Sequence, residues 1–101
     1  MGVRTDEDMT RAAREAAFYV QHLRASRTRK WRVNSAADGV ADWLGWCATV
    51  DLQANPLETI GEPFARFMDA YPKSALPALE WSIWRREREL GHCAGCASDG
   101  G

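Results

Sequence analysis

Apolar residues recur at intervals of three and four along most of the chain, and nowhere do β-branched residues alternate with polar ones over five positions. The first pattern is typical of amphipathic helices and the second of strands, so the sequence predicts an all-α protein. A first helix is expected from Thr5, whose hydroxyl can cap free amides ahead of three acidic residues, to about Ser26. Five residues form its apolar stripe: Met9, Ala13, Ala16, Val20 and Leu23.

A second helix is predicted to begin at Ser35, with Asp38 three residues later as a capping partner. Gly39 and Gly45 each weaken a helix by up to about 1 kcal/mol relative to alanine. We therefore expect both glycines to allow close approach by a neighbouring helix. The inner face of this helix is expected to carry Val40, Trp43, Leu44 and Cys47.

Two short helices bounded by proline are predicted next. Residues 55–58 have the order of an N-cap and first turn, and Gly61 closes that helix. Residues 63–71 form the other, which ends before Pro72. Its inward side chains are expected to be Phe64, Phe67 and Met68.

The last helix is predicted to run from Ser74, its N-cap, to a stop at Gly91. Its inner face is expected to carry Leu76, Leu79, Ile83 and Leu90. Residues 1–91 are thus predicted to form one compact domain of four or five helices, in which the long first and last helices pack together. Residues 92–101 are small and polar, and a flexible tail containing glycine and cysteine is expected there.

Composition limits the classes of protein to which the chain can belong. The 101 residues suffice for one hydrophobic core, and a hydrophobic fraction of 46% argues against disorder. No apolar run approaches about 18 residues, the length that spans a bilayer, and residues 1–17 lack the apolar stretch of a signal peptide. The odd number of cysteines shows no disulfide framework. We therefore expect a cytoplasmic protein without membrane contact.

Motifs for catalysis are missing from the sequence, which contains no phosphate-binding glycine loop, nucleophile elbow or metalloprotease motif. The chain is therefore not expected to be an enzyme or to need a cofactor. His92, Cys93 and Cys96 are weak candidates for a metal site, because structural zinc takes four ligands and only three lie close in sequence. His22 or Cys47 could supply a fourth, and the alternative is a tail that carries two cysteines by chance.

Aromatic and arginine side chains on the outer faces of the long helices are the main candidates for function. Phe18 lies opposite the apolar stripe of the first helix, and four residues of the last helix lie away from or beside its predicted inner face: Trp81, Trp84, Arg85 and Arg88. Tryptophan and arginine are enriched at binding hot spots, so these five side chains are the predicted contact with a partner protein. The alternative is that Trp81 covers a neighbouring helix and Arg85 stacks on it.

A basic segment, residues 24–32, spans the last turn of the first predicted helix and the connection to the second. It carries five basic residues and one tryptophan, although the net charge of the chain is −1. Basic residues with an interleaved aromatic suit a nucleic-acid backbone and equally suit an acidic protein. A contact loop is predicted from Arg27, Arg29, Lys30, Trp31 and Arg32. Trp31 could instead fold back and seal the gap between the two helices.

Trp43-Leu44-Gly45 is a W-x-G motif near the middle of the chain, and in this the chain is similar to the W-x-G family of small secreted helical hairpins. The proline-broken segment 55–72 and the missing Tyr-x-x-x-Asp/Glu after the last helix depart from that family. In length and helicity the chain is also similar to phage-encoded inhibitors of bacterial defence systems and to small helical subunits of CRISPR effector complexes. These resemblances assign no family.

The sequence therefore predicts a small intracellular helical module that docks on a larger protein as an inhibitor, adaptor or accessory subunit, encoded by a phage or mobile element in one version of this hypothesis. The alternative is a small helical subunit of a nucleoprotein complex that contacts the nucleic-acid backbone through the basic loop 24–32. Because acidic and basic regions occur on one chain, self-association is a further hypothesis.

Overall fold

Four helices make up the part of the chain that the structure, a computed structural model, describes, which is residues 5–59 and 61–91. They are α1 (Asp6–Ala25), α2 (Lys30–Thr49), α3 (Gly61–Ala70) and α4 (Pro72–Glu89), and no strand occurs in this part. The all-α prediction is therefore confirmed. α2 packs against both α4 and α1 and lies at the centre of the fold, and the predicted contact between the first and last helices, α1 and α4, is also present. The predicted tail lies outside the described residues.

The start of α1 is as predicted. The Thr5 hydroxyl accepts a hydrogen bond from the Asp8 amide (3.1 Å), and the Asp8 carboxylate accepts one from the Thr5 amide (2.9 Å). This reciprocal pair is a capping box. The buried face differs from the predicted stripe, because Tyr19 is buried whereas Ala13 is exposed. The Tyr19 ring carries more apolar area than an alanine, and it packs 5.2 Å from the ring of Trp84.

A tight turn joins α1 to α2. Arg27 adopts a left-handed conformation (φ 61°). Its amide donates to the Arg24 carbonyl oxygen (3.2 Å), and the Thr28 amide donates to the Leu23 carbonyl oxygen (3.2 Å). This is a Schellman motif, in which the chain leaves one helix and reverses direction within a few residues.

Because of that turn, α2 begins at Lys30 and not at the predicted Ser35. Lys30, Trp31 and Arg32 lie in its first turn, so the prediction that these residues belong to a loop is wrong. Only Arg29, as the N-cap in a non-helical conformation (ψ 143°), separates the turn from the helix. Basic residues thus occupy the end of a helix at which acidic residues are favoured.

The closest approach of α2 to α4 occurs at Gly39. A Cβ atom at this position would lie 2.5 Å from Pro77 Cβ and 3.1 Å from the Ser74 carbonyl oxygen. The predicted close approach at Gly39 is therefore confirmed. The same prediction for Gly45 is wrong, because a Cβ there would meet no described atom within 4 Å.

Side-chain hydrogen bonds fix the connection between α2 and α3. Trp43, buried as predicted, donates from its indole Nε1 to the Pro56 carbonyl oxygen (2.9 Å). The side-chain oxygen of Asn55 accepts from the amide two residues ahead (2.9 Å), and its Nδ2 donates to Asp8 of α1 (3.3 Å). Residues 55–58 form a turn rather than the predicted helix, because asparagine side chains stabilise such turns in place of helical hydrogen bonds.

α3 supplies the aromatic part of the core. Phe64 and Phe67 are buried as predicted, and the ring centroid of each lies 5.1 Å from that of Trp43. Met68 was also predicted to point inward, but it is largely exposed. Two aromatic side chains on neighbouring turns already fill the contact with α2, and the helix turns Met68 outward to bury them.

The start of α4 differs from the prediction. The helix begins at Pro72, a residue that suits a first helical position because its missing amide has no intrahelical partner to lose. Ser74, the predicted N-cap, instead donates its hydroxyl hydrogen to Asp42 on α2 (2.6 Å). Pro77 consequently lies in the helix interior, with its ring against Gly39.

The buried face of α4 is opposite to the predicted one. Leu76, Ile83 and Leu90 were expected in the core, but all three are at least half exposed, and of the predicted inner face only Leu79 packs against the core. The buried face consists of Ala75, Pro77, Ala78, Trp81 and Arg85. Its alanines let α4 approach α2 closely, and tryptophan buries more apolar area than leucine, so this face removes more surface from water.

Candidate functional site

Three of the five predicted partner-contact residues meet at the seam between α1 and α4. The Arg88 guanidinium lies 5.5 Å from the ring centroid of Phe18 and 4.9 Å from that of Trp84, which is within the range of cation–π attraction. Arg88 also donates to the Glu15 carboxylate at 2.7 Å. Phe18 is partly exposed, but its neighbours are engaged with one another, so the seam is chiefly a contact within the fold.

The other two predicted contact residues, Trp81 and Arg85, do not lie on the surface. Both are buried, which contradicts the outward orientation predicted for them. The Arg85 guanidinium donates to the Leu57 carbonyl oxygen (2.6 Å) and to Glu89 (2.7 Å), and it lies 5.8 Å from the Trp81 ring. The alternative interpretation, in which Trp81 covers neighbouring helices and Arg85 stacks on it, is therefore the correct one. These residues hold α4 to the chain before α3.

The residues of the predicted basic loop are exposed at one corner of the fold. Arg27 and Arg29 lie in the turn, and the other three lie in the first turn of α2. Arg24 in the last turn of α1 is exposed beside them. We term the five basic residues of this region the basic corner: Arg24, Arg27, Arg29, Lys30 and Arg32. These charges come together from the C-terminal end of α1 and the N-terminal end of α2.

Trp31 is the aromatic residue of this corner. It is 66% exposed, more than any other large apolar side chain in the described part of the chain. The hypothesis that it seals the gap between α1 and α2 is therefore wrong. A tryptophan in this position adds little to the core and offers a large contact area to another molecule.

A cleft opens beside Trp31 where α1, α2 and α4 meet. Its volume is about 230 Å³. The apolar lining consists of Tyr19 and Leu23 from α1, Trp31 and Ala36 from α2, and Leu76 and Pro77 from α4. We term this feature the Trp31 cleft. Sequence reasoning missed it, because its walls come from three separate helices and Leu76 was assigned to the core.

The charged lining of the Trp31 cleft is mainly basic. Arg32 of α2 and Lys73 of α4 both line it, and Glu80 is the one carboxylate among the described lining residues, 3.9 Å from Arg32. Burial raises the pKa of the Tyr19 hydroxyl above its ordinary value, Glu80 adds to the rise, and Arg32 opposes it. Tyr19 is therefore neutral at physiological pH and adds no negative charge to the lining.

An apolar ridge continues from the cleft along α4. Leu76, Ile83 and Leu90 follow one another at seven-residue intervals, which is nearly two helical turns, and are 61%, 50% and 64% exposed. We term these three residues the apolar ridge; they extend over about 21 Å of helix. The sequence showed this stripe clearly, but amphipathic spacing does not reveal whether the same chain covers it.

Metal-binding and thiol chemistry have little support within the described residues. Residues 5–59 and 61–91 contain no group of three or more histidine, cysteine and acidic side chains that could hold a metal ion. The weak metal candidates His92, Cys93 and Cys96 lie outside this part. Cys47 is completely buried on α2, as expected from its place on the inner face of that helix.

None of the helices formed by the described residues is long and apolar enough to cross a bilayer. Comparison of the chain with protein-family models, with curated proteins and with solved structures gave no match. The surface of the chain itself therefore provides the grounds for a proposal about function.

Proposed function

We propose that this chain is a protein-binding module that docks on a larger protein through the Trp31 cleft and the apolar ridge. The observation that carries the proposal is the position of two large exposed side chains, Trp31 and Leu76, in the walls of one open cleft. Sites that receive a side chain of a partner are concave and apolar, with a few polar groups at the rim. An inhibitor, an adaptor and an accessory subunit would each act by such docking.

The alignment of exposed apolar residues on one side of α4 supports the same proposal. Complete burial of a leucine or isoleucine side chain contributes roughly 1.5–3 kcal/mol of favourable free energy. In the isolated chain the side chains of the ridge are at least half exposed, so much of this free energy becomes available only when a partner covers them. Single apolar residues are ordinary on a protein surface, whereas a connected group marks an interaction site. Here Leu76 lines the cleft and is followed on the same side of α4 by Ile83 and Leu90 at intervals of about 10 Å, so one elongated partner surface can cover all three.

The test compares partner capture by matched variants of the whole chain. Trp31→Ser combined with Leu76→Ser removes both exposed walls of the cleft. Val50→Ser combined with Leu52→Ser is the control, because both residues are 59% exposed but lie beyond the C-terminal end of α2, about 30 Å along that helix from Trp31. Both variants should keep the helical circular dichroism spectrum of the wild type.

Proteins that bind through the cleft should be captured from cell extract by the wild type and the control, and lost with the cleft variant. A photo-crosslinking residue at position 31 should then form an adduct with the same protein. Retention of every captured protein by the cleft variant, with no adduct at position 31, would contradict docking at this surface.

A second candidate is a subunit that contacts nucleic acid, and the observation in its favour is the basic corner. Positive side chains beside an exposed aromatic ring are the elements with which proteins bind single strands. Contacts from about five charges should lose affinity steeply as salt rises from about 50 to 200 mM. Fluorescence anisotropy with a labelled single-stranded oligonucleotide measures this slope, and no binding at low salt would eliminate the candidate for the isolated chain.

A further inference from the structure

We infer that the Trp31 cleft receives one large apolar side chain presented by an acidic segment of the partner protein. The inference rests on the proposed function and adds the chemistry of the partner. It follows from the volume of the cleft, from its apolar walls and from the sign of the charge around it.

The volume and walls of the cleft suit one apolar side chain. A water molecule occupies about 30 Å³ in the liquid, so about 230 Å³ holds several waters. Leu23, Ala36, Leu76 and Pro77 offer those waters no side-chain hydrogen bonds, and among the uncharged side chains of the lining only those of Tyr19, Trp31 and Ser35 carry a polar atom. Displacement of poorly bound water by an apolar group favours binding, and a leucine or phenylalanine side chain has the shape to enter.

The charge around the cleft selects an acidic partner. Arg32 and Lys73 line the cleft itself, and Lys30 precedes Arg32 in the same helical turn. Glu80 is the only acid among the described lining residues and is already paired with Arg32. Because the chain as a whole has a net charge of −1, the positive charge is local, and it attracts acidic groups within a Debye length of about 10 Å.

The walls also favour a protein over a nucleic acid. Single-stranded nucleic acids are bound by several aromatic side chains on which successive bases stack. At this corner of the described structure Trp31 is the only largely exposed ring, since Tyr19 is buried. The polar side chains of the lining, Ser35 and the charged residues, share the cleft with the aliphatic side chains of Leu23, Ala36 and Pro77, which suit an apolar side chain and offer a base edge no hydrogen bond.

The test uses a blocked peptide of glutamate and alanine with one central leucine, titrated into the full chain while the tryptophan indole signals are followed by NMR. The Trp31 signal, identified as the one missing in Trp31→Phe, should shift on binding. A peptide with serine in place of leucine, and one with lysines in place of glutamates, should each bind about tenfold or more weakly. The first control removes the apolar anchor and the second reverses the charge.

Two variants of the charged lining should change the affinity for the glutamate–leucine peptide in opposite directions. Lys73→Glu should weaken the glutamate–leucine peptide, whereas Glu80→Gln should strengthen it, because it removes the one carboxylate of the lining and releases Arg32 from its pair. Glu58→Gln is the matched control, since Glu58 is exposed on the connection before α3 and does not line the cleft. It should leave the affinity unchanged.

Three results would overturn the inference. The first is an unchanged Trp31 signal with the glutamate–leucine peptide, and the second is equal binding of the lysine peptide. The third is an oligothymidylate that shifts the Trp31 signal where this peptide does not. If partner capture depends on Trp31 and Leu76 but the acidic peptide does not bind, the proposed function stands and the acidic class of partner is refuted. If the peptide binds but no captured protein depends on these residues, it is the docking proposal that fails.

Discussion

Substitution by alanine is predicted to have opposite effects on stability at the two glycines of α2, Gly39 and Gly45. Alanine in a helix interior is about 0.8–1 kcal/mol more favourable than glycine, so Gly45→Ala, whose new methyl group meets no described atom within 4 Å, should stabilise the protein by up to that amount. At Gly39 the new methyl group would lie 2.5 Å from Pro77 Cβ and 2.8 Å from Pro77 Cγ. The proline ring cannot rotate away, because it is part of the backbone of α4.

The size of the effect at Gly39 follows from these distances. Extra carbon atoms in a well-packed contact cost typically 1–3 kcal/mol, since helices must move apart to admit them. After the gain in helix propensity is subtracted, Gly39→Ala should destabilise the protein by up to about 2 kcal/mol. The two variants should thus differ by about 2 kcal/mol, which corresponds to roughly 8–16 °C in melting temperature for a domain of this size.

Thermal and urea unfolding followed by circular dichroism measure this difference, and the single unfolding transition of each variant must be checked first. The two substitutions are chemically identical and lie on one helix, so effects on the unfolded chain largely cancel in the comparison. Equal stabilisation by both would refute the close approach of α2 and α4 at Gly39. Because Pro77 also lines the Trp31 cleft, Gly39→Ala should in addition weaken peptide binding there, whereas Gly45→Ala should not.

Two further predictions follow from burial. Trp81→Ala should lower the free energy of unfolding by about 3–5 kcal/mol, because Trp81 is fully buried. Trp31→Ala, at a residue that is 66% exposed, should lower it by less than about 1 kcal/mol. Equal losses in urea unfolding would show that the buried position of Trp81 and the exposed position of Trp31 are wrong. Because burial raises the pKa of Tyr19, the unfolded chain loses this proton first as the pH rises through about 10, and stability should fall there. Tyr19→Phe should reduce that alkaline loss, and an identical pH dependence of the two proteins would contradict it.

Local sequence signals predicted the class of fold and several of its details. The N-cap at Thr5, the close approach at Gly39 and the burial of Trp43 each depend on a residue type whose physical requirement is visible in the sequence. The start of α2 was placed five residues late because the Schellman turn at Arg27 puts a non-glycine residue in a left-handed conformation, and the residue type gives little sign of this.

Local sequence signals did not predict which face of α4 is buried. Its sequence contains two apolar stripes, one of leucine and isoleucine and one that includes Ala78 and Trp81, and periodicity accepts either as the buried one. The choice depends on the partner surface, which Gly39 provides from α2, and a contact at that distance admits small side chains but not leucine. No local pattern on α4 carries this information.

The candidate site likewise combines features that the sequence determines with features that only the tertiary structure decides. The basic charge at residues 24–32 and the presence of Trp31 among them were determined by the sequence alone. The cleft beside Trp31 was decided by the tertiary structure, because its walls come from three helices and because Leu76 lines it only once α4 has buried its other face. A sequence specifies which side chains are available, but a concave surface exists only after distant segments pack, since packing determines which apolar side chains remain uncovered.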